Sequence, residues 1–131
     1  MTNQTGGRIL IVDNNEDILT RLGNELNKFG YEVTTTWSGM EALALLSSRT
    51  FDSLLLDDYL PDLYIGEFIE RIAALPATPR IILMQAKPLR DVRTLGAHTL
   101  AVVDKLRMSQ IIRALGGGSA YVASDPQRWK H

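Results

Sequence analysis

The chain has 131 residues, 45% of them hydrophobic, a formal net charge of -1 and no cysteine. That length suits one domain with one core, and the balanced charge argues against a dedicated nucleic-acid surface. Without cysteine there is no disulfide framework, thiol nucleophile or thiolate metal site.

The start, Met1 to Gly7, is polar and lacks the apolar centre of a signal peptide, and no apolar run is long enough to span a bilayer. A flexible leader over 1–7 and a cytoplasmic chain are expected. Short apolar runs then alternate with longer amphipathic ones, the pattern of repeated βα units. Ile9-Leu10-Ile11-Val12 reads as a first strand ended by Asp13-Asn14-Asn15. Asn14 or Asn15 can cap the helix that follows, with Glu16 and Asp17 in its first turn. Ile18, Leu22, Leu26 and Phe29 recur there at helical spacing, and Gly30 closes it.

Tyr31, Val33 and Thr35 alternate with Glu32, Thr34 and Thr36, which predicts an edge strand with one wetter side. Ser38 caps a second helix carrying Ala42, Leu43 and Leu46. Ser53-Leu54-Leu55-Leu56-Asp57-Asp58-Tyr59-Leu60-Pro61 is a strand buried on both faces that stops on a carboxylate. A third helix shows Phe68, Ile69, Ile72 and Leu75 on one face, and Ile81-Ile82-Leu83-Met84 is a fourth strand. Leu89 to Leu95 can make only about two helical turns. Thr99 to Val103 is a fifth strand, followed by Asp104 and Lys105. Met108, Ile111, Ile112 and Leu115 mark a last helix stopped by Gly116-Gly117-Gly118. The domain is expected over 8–116, and the tail 117–131, without periodicity, reads as disordered or as a docking segment.

Apolar strands one, three and four belong in the middle of a sheet and strand two at an edge. The expected fold is a flavodoxin-like doubly wound parallel sheet of five strands, order 2-1-3-4-5, with helices on both faces. Its ligand crevice opens between the ends of strands one and three, at Asp13 and Asp57. With Asn14 beside them, these acids make an oxygen-rich pocket suited to magnesium. A carboxylate there can also attack phosphorus, and Lys105 at the end of strand five is placed to meet the transferred group. Lys87, before Pro88, is a second candidate cation, otherwise a lysine ahead of a proline-started helix. Asp58 should turn to the opposite side of the strand as a solvated acid. His98 and His131 carry no partner pattern.

Arg8-Ile9-Leu10-Ile11-Val12-Asp13-Asn14, Gly30-Tyr31-Glu32-Val33, Gly39-Met40-Glu41-Ala42-Leu43, Leu54 to Pro61 and Gly96-Ala97 together resemble the receiver domain of bacterial response regulators, the CheY-like superfamily. The resemblance covers Arg8 to about Leu115. It implies phosphoryl transfer from a phosphohistidine of a histidine kinase or a phosphotransfer protein onto Asp57, with magnesium required, and no enzyme activity beyond self-phosphorylation and slow self-dephosphorylation of the aspartyl-phosphate. Asp13 and Asn14 fall on the family's acidic pair, the Tyr59 backbone carbonyl on the position completing the metal shell, and Lys105 on the lysine that contacts the phosphoryl group.

The chain departs from that pattern. Asn14 replaces an acid, which weakens magnesium binding. Gln85 stands where the family has a switch Ser or Thr, and the aromatic switch position is Leu100 or Val102. Tyr64-Ile65 precedes Gly66 where an acid is usual. From Gln85 to Gly96 the chain is about one helical turn short, which trims the fourth helix. No proline follows Lys105, and counting from Gly96 puts Val103 at the lysine position. Two readings follow: a receiver phosphorylated on Asp57 that signals through protein contact, or a pseudo-receiver that docks a partner without phosphorylation. A homodimer through the family's usual face stays open. A hydrolase of the dehalogenase type wants Asp-x-Asp after its strand, and a flavodoxin wants a hydroxyl- and glycine-rich loop after strand one; neither is present.

Overall fold

The computed structural model describes residues 7–86, 92–95 and 98–117. In chain order the elements are β1 (Arg8–Val12), α1 (Glu16–Lys28), β2 (Glu32–Thr36), α2 (Gly39–Ser48), β3 (Ser53–Asp57), α3 (Ile65–Ala73), β4 (Arg80–Gln85), β5 (Val92–Leu95), β6 (His98–Asp104) and α4 (Met108–Ile112). Arg113–Gly117 closes the described chain, its helical path broken by a kink at Gly116, φ 101°. Asn15, not Asn14, caps α1, its side-chain oxygen accepting from the Ile18 amide at 3.1 Å. Phe29 forms the C-cap of α1, and Gly30 beyond it takes the left-handed conformation, φ 97°, that its lack of a Cβ permits.

The strands form one sheet in the order β2-β1-β3-β4-β6-β5. Neighbours from β2 through β6 are parallel, and β5 pairs antiparallel with β6. The doubly wound order is therefore the expected one, with a sixth strand added at the edge.

That sixth strand corrects the expected fourth helix. Val92-Arg93-Thr94-Leu95 is a strand, while 87–91 and 96–97, Lys87 among them, lie outside the described residues. Twelve residues, 86–97, separate β4 from β6, about the least that a helical crossover needs. The backbone groups of this stretch find partners on β6 instead, in a hairpin pairing Leu95 with His98. A glycine-led two-residue link, Gly96-Ala97, after a β-branched run is itself a hairpin signal. The expected leader and tail also fall outside the described residues, apart from Gly7 and Gly117.

Strand alternation sorts the core into two layers. Leu10, Val12, Leu54, Leu56, Leu83, Leu100 and Val102 face α2 and α3, packing on Ala42, Leu46, Phe68, Ile69 and Ile72. Ile9, Ile11, Leu55, Ile82, Met84 and Val103 face α1 and α4, packing on Leu19, Leu22, Leu26 and Ile111. Among the described residues no helix is long and apolar enough to cross a membrane.

Candidate functional site

The alternation that sorts the core also assembles the site. Asp13 lies two residues beyond Ile11, Asp57 two beyond Leu55 and Lys105 two beyond Val103, and all three apolar residues face α1 and α4. With period two, their successors come out of parallel strands on the same side, at the carboxyl edge of the sheet. There Lys105 Nζ donates to Asp13 Oδ2 at 2.8 Å and to Asp57 Oδ1 at 3.0 Å. Val103 sits inside the sheet, paired with Met84 and buried, so the lysine that reaches the acids is Lys105.

Backbone contacts fix each member. The Asp13 amide donates to the Thr36 carbonyl, and the Asn15 amide donates to Asp13 Oδ1 at 2.8 Å, which occupies the second oxygen of a fully buried carboxylate. The Lys105 amide donates to the Gln85 carbonyl at 2.9 Å, and Arg21 of α1 donates to the Lys105 carbonyl at 3.0 Å. Asp57 is 5% exposed, and its Oδ2 has no donor among the described residues.

Burial pushes the Asp57 carboxyl above its ordinary range; the Lys105 hydrogen bond opposes this, and the Asp13 and Asp58 charges add to the rise. Burial alone would lower the Lys105 ammonium, yet its hydrogen bonds to Asp13 and Asp57 hold it above its ordinary value. One cation thus bridges two buried acids. The remaining expected ligands lie at the rim: Asn14 is exposed, and Tyr59 is 64% exposed. Among the described residues no three His, Cys, Asp or Glu gather as a metal cage. The donor chemistry still suits magnesium, since two carboxylates, an amide oxygen and a backbone carbonyl are hard oxygen ligands.

Gln85 and Val102, the expected switch positions, are separated. Val102 is a buried core residue beside Leu83. Gln85 is half-buried, and its Nε2 donates to Asp58 Oδ2 at 2.9 Å. Asp58 does turn to the opposite face from Asp57, but it is engaged rather than merely solvated, because Arg93 of β5 also approaches its Oδ2, at 3.8 Å. His98 likewise has a partner, Glu70, at 3.6 Å.

Sequence reasoning passed over Asp62. Its Oδ1 accepts from the Gly39 amide and its Oδ2 from the Met40 amide and the Ser38 hydroxyl, each at 3.0 Å, so it ties the loop after β3 to the start of α2. These bonds, that of Met40 foremost, hold its carboxyl below the ordinary range. No spacing rule finds a cap supplied from 22 to 24 residues away; Leu60-Pro61-Asp62 reads only as a turn. Trp37, Met40, Tyr59, Tyr64 and Leu106, all more than half exposed, stand in or beside the loops at the carboxyl edge of the sheet.

A parallel doubly wound sheet with paired acids and a lysine at its carboxyl edge is the architecture of a receiver domain. Residues 9–113 match the family of response regulator receiver domains, and the chain belongs to that family. It is 30% identical over 95 residues to the transcriptional regulatory protein PrrA of Mycobacterium tuberculosis, covering 72% of this chain and 41% of PrrA. It is also 30% identical over 96 residues to sporulation initiation phosphotransferase F of Bacillus subtilis, covering 70% of this chain and 77% of that protein. The chain thus spans about two fifths of the length of the transcriptional regulator. Among solved structures, the receiver domain of a sensor histidine kinase from Pseudomonas aeruginosa PAO1, with a magnesium ion in its active-site cleft, superposes with a TM-score of 0.72 at 25% identity. That match covers 86% of this chain and 96% of the neighbour. The chain is a receiver domain of two-component signalling, a class that binds magnesium in this cleft and interacts with histidine kinases or phosphotransfer proteins.

Proposed function

We propose that this receiver accepts a phosphoryl group on Asp57 and passes the signal on by protein contact. The observation that carries the reading is the Lys105 ammonium, within hydrogen-bond distance of both Asp13 and Asp57. A carboxylate oxygen of Asp57 attacks the phosphorus of a phosphohistidine. An O–P bond forms, the N–P bond breaks, and the leaving imidazole nitrogen takes a proton. Oδ1 accepts from Lys105, so Oδ2 is the oxygen assigned to attack. Lys105 offsets the charge gathering on the transferred group, and its raised proton affinity keeps it cationic.

Asp13, Asp57, the Asn14 amide oxygen and the Tyr59 carbonyl would hold magnesium. Bound there, it would reduce repulsion between the anionic carboxylate and the phosphoryl group. With Asn14 in place of an acid the ion binds more weakly. The donor would be a histidine kinase or phosphotransfer protein in the cytoplasm, docking on the exposed apolar rim.

A second reading, docking without phosphorylation, is favoured by Gln85 bonding to Asp58 and by aliphatic Leu100 and Val102 at the aromatic switch position. Incubation with magnesium and acetyl phosphate, followed by intact mass, separates the two. A phosphate-sized gain, absent from Asp57→Asn, is the expected result; no gain would leave the docking reading.

A further inference from the structure

The carboxyl edge of the sheet carries a second cluster, back to back with the first. Asp58 follows Leu56 by two residues and Gln85 follows Leu83 by two, and both leucines face α2 and α3. Arg93 pairs in register with Leu100, which faces the same layer. The alternation that gathers Asp13, Asp57 and Lys105 on one face therefore gathers Asp58, Gln85 and Arg93 on the other. The two clusters are joined by one peptide bond, between Asp57 and Asp58.

Within this second cluster one acceptor has two donors at unequal distance. Gln85 Nε2 holds Asp58 Oδ2 at 2.9 Å, while the Arg93 guanidinium stands 3.8 Å from the same oxygen. The first contact is a formed hydrogen bond and the second an ion pair short of one. Arg93 comes from β5, a four-residue edge strand that hydrogen-bonds to the rest of the sheet only through β6.

We propose that Asp58, Gln85 and Arg93 carry the charge state of Asp57 to β5, with Arg93 closing on Asp58 when Asp57 is phosphorylated. The proposal rests on the phosphoacceptor reading of Asp57. A phosphoryl group adds negative charge next to Asp58. Gln85 is neutral and cannot balance that charge, whereas Arg93 can, and a guanidinium can close with two parallel N–H donors. The movement reaches the surface, because Arg93 and Asp58 line a cleft of about 490 Å³ with Tyr59, Pro61 and Tyr64 between the loop after β3 and β5. Closure narrows the cleft and firms the edge strand, so the output is written on the hairpin that replaces a fourth helix.

The test is hydrogen exchange of the β5 amides in the full chain, with and without beryllofluoride and magnesium, while fluorine NMR reports separately whether the mimic binds. In the parent the mimic should slow exchange in β5. In Arg93→Gln, which keeps a long polar side chain, and in Arg93→Ala the slowing should vanish while the mimic still binds, about two- to fivefold more weakly. Asp58→Asn should behave like Arg93→Ala, and combining the two should add nothing. Binding of the mimic with no change in β5, or the same change in both Arg93 variants, overturns the proposal. If the parent binds no mimic at all, the phosphoacceptor reading fails first and this inference with it.

Discussion

Lys105 and Asp13 are 92 residues apart in sequence, yet Nζ and Oδ2 are 2.8 Å apart in the fold. The same ammonium reaches Asp57, so among the described residues the charge balance of the two acids rests on Lys105.

Removing that cation should therefore cost more than a surface lysine would. In Lys105→Met two buried carboxylates lose their counter-charge, and the fold should lose about 3 kcal/mol at pH 7. The loss should shrink as pH falls, because Asp57, already raised by burial, takes up a proton more readily in the folded state once the Lys105 hydrogen bond that opposes the rise is gone. Urea unfolding at pH 7 and at about pH 4.5 measures both effects. Phosphate uptake from acetyl phosphate, followed by mass, should slow by about 100-fold or more. A variant as stable as the parent at pH 7 would mean that the bridge carries little weight.

Asp57 gives the opposite sign. Its folded carboxyl lies above the ordinary 3.8, chiefly through burial. Between the two values the folded chain binds more protons than the unfolded one, so this group's contribution falls as pH rises through the raised value. Asp57→Asn removes that fall. The variant should be more stable than the parent at pH 7, on the order of 1 kcal/mol, with the gap closing below about pH 4. Lys105 keeps Asp13 in the variant, which makes the sign safe from a lost bridge. Equal or lower stability at neutral pH would contradict this account.

How much of this was legible in the sequence follows from where the physics is local. β1, β3 and β4 are uninterrupted apolar runs, and the acid pair ends two of them, so the sheet order and the meeting of Asp13 with Asp57 could be read directly. The β5–β6 hairpin could not be read from hydropathy, because Val92-Arg93-Thr94-Leu95 is too short to show a period. The glycine in Gly96-Ala97 was the overlooked sign. Arg93 and Asp62 escaped for another reason: each acts on a residue of a different element, and nothing near either in sequence marks the partner.

Asp62 can be tested by removing its carboxylate. Asp62→Ala frees the Gly39 and Met40 amides and the Ser38 hydroxyl, and loss of such a cap costs about 1 kcal/mol. Its carboxyl is held below the ordinary value, foremost by the Met40 amide, so the stabilisation is present above the unfolded value and disappears as pH falls through the folded one. Thermal unfolding should separate the parent from Asp62→Ala at pH 7 and bring them together in acid. A gap that persists unchanged at low pH would point to packing rather than capping.

Two helical glycines should respond in opposite ways to a methyl group. Gly23 lies inside α1, where an added Cβ would meet Thr35 Cγ2 at 3.6 Å and Val33 Cγ1 at 3.9 Å, ordinary contact distances. Gly23→Ala should gain about 1 kcal/mol, because alanine loses less backbone freedom in a helix and nothing has to move. At Gly39 a Cβ would come within 3.1 Å of Leu60 Cδ1 and Leu63 Cβ and 3.2 Å of Asp62 Oδ1. There the backbone of α2 passes close under the loop that carries its cap. Gly39→Ala, at the first position of α2, should therefore lose stability by pushing Asp62 off the amides it caps. Denaturant midpoints of the two variants should move in opposite directions. If both rise, the loop after β3 has room to retreat, and the tie through Asp62 is looser than the distances state.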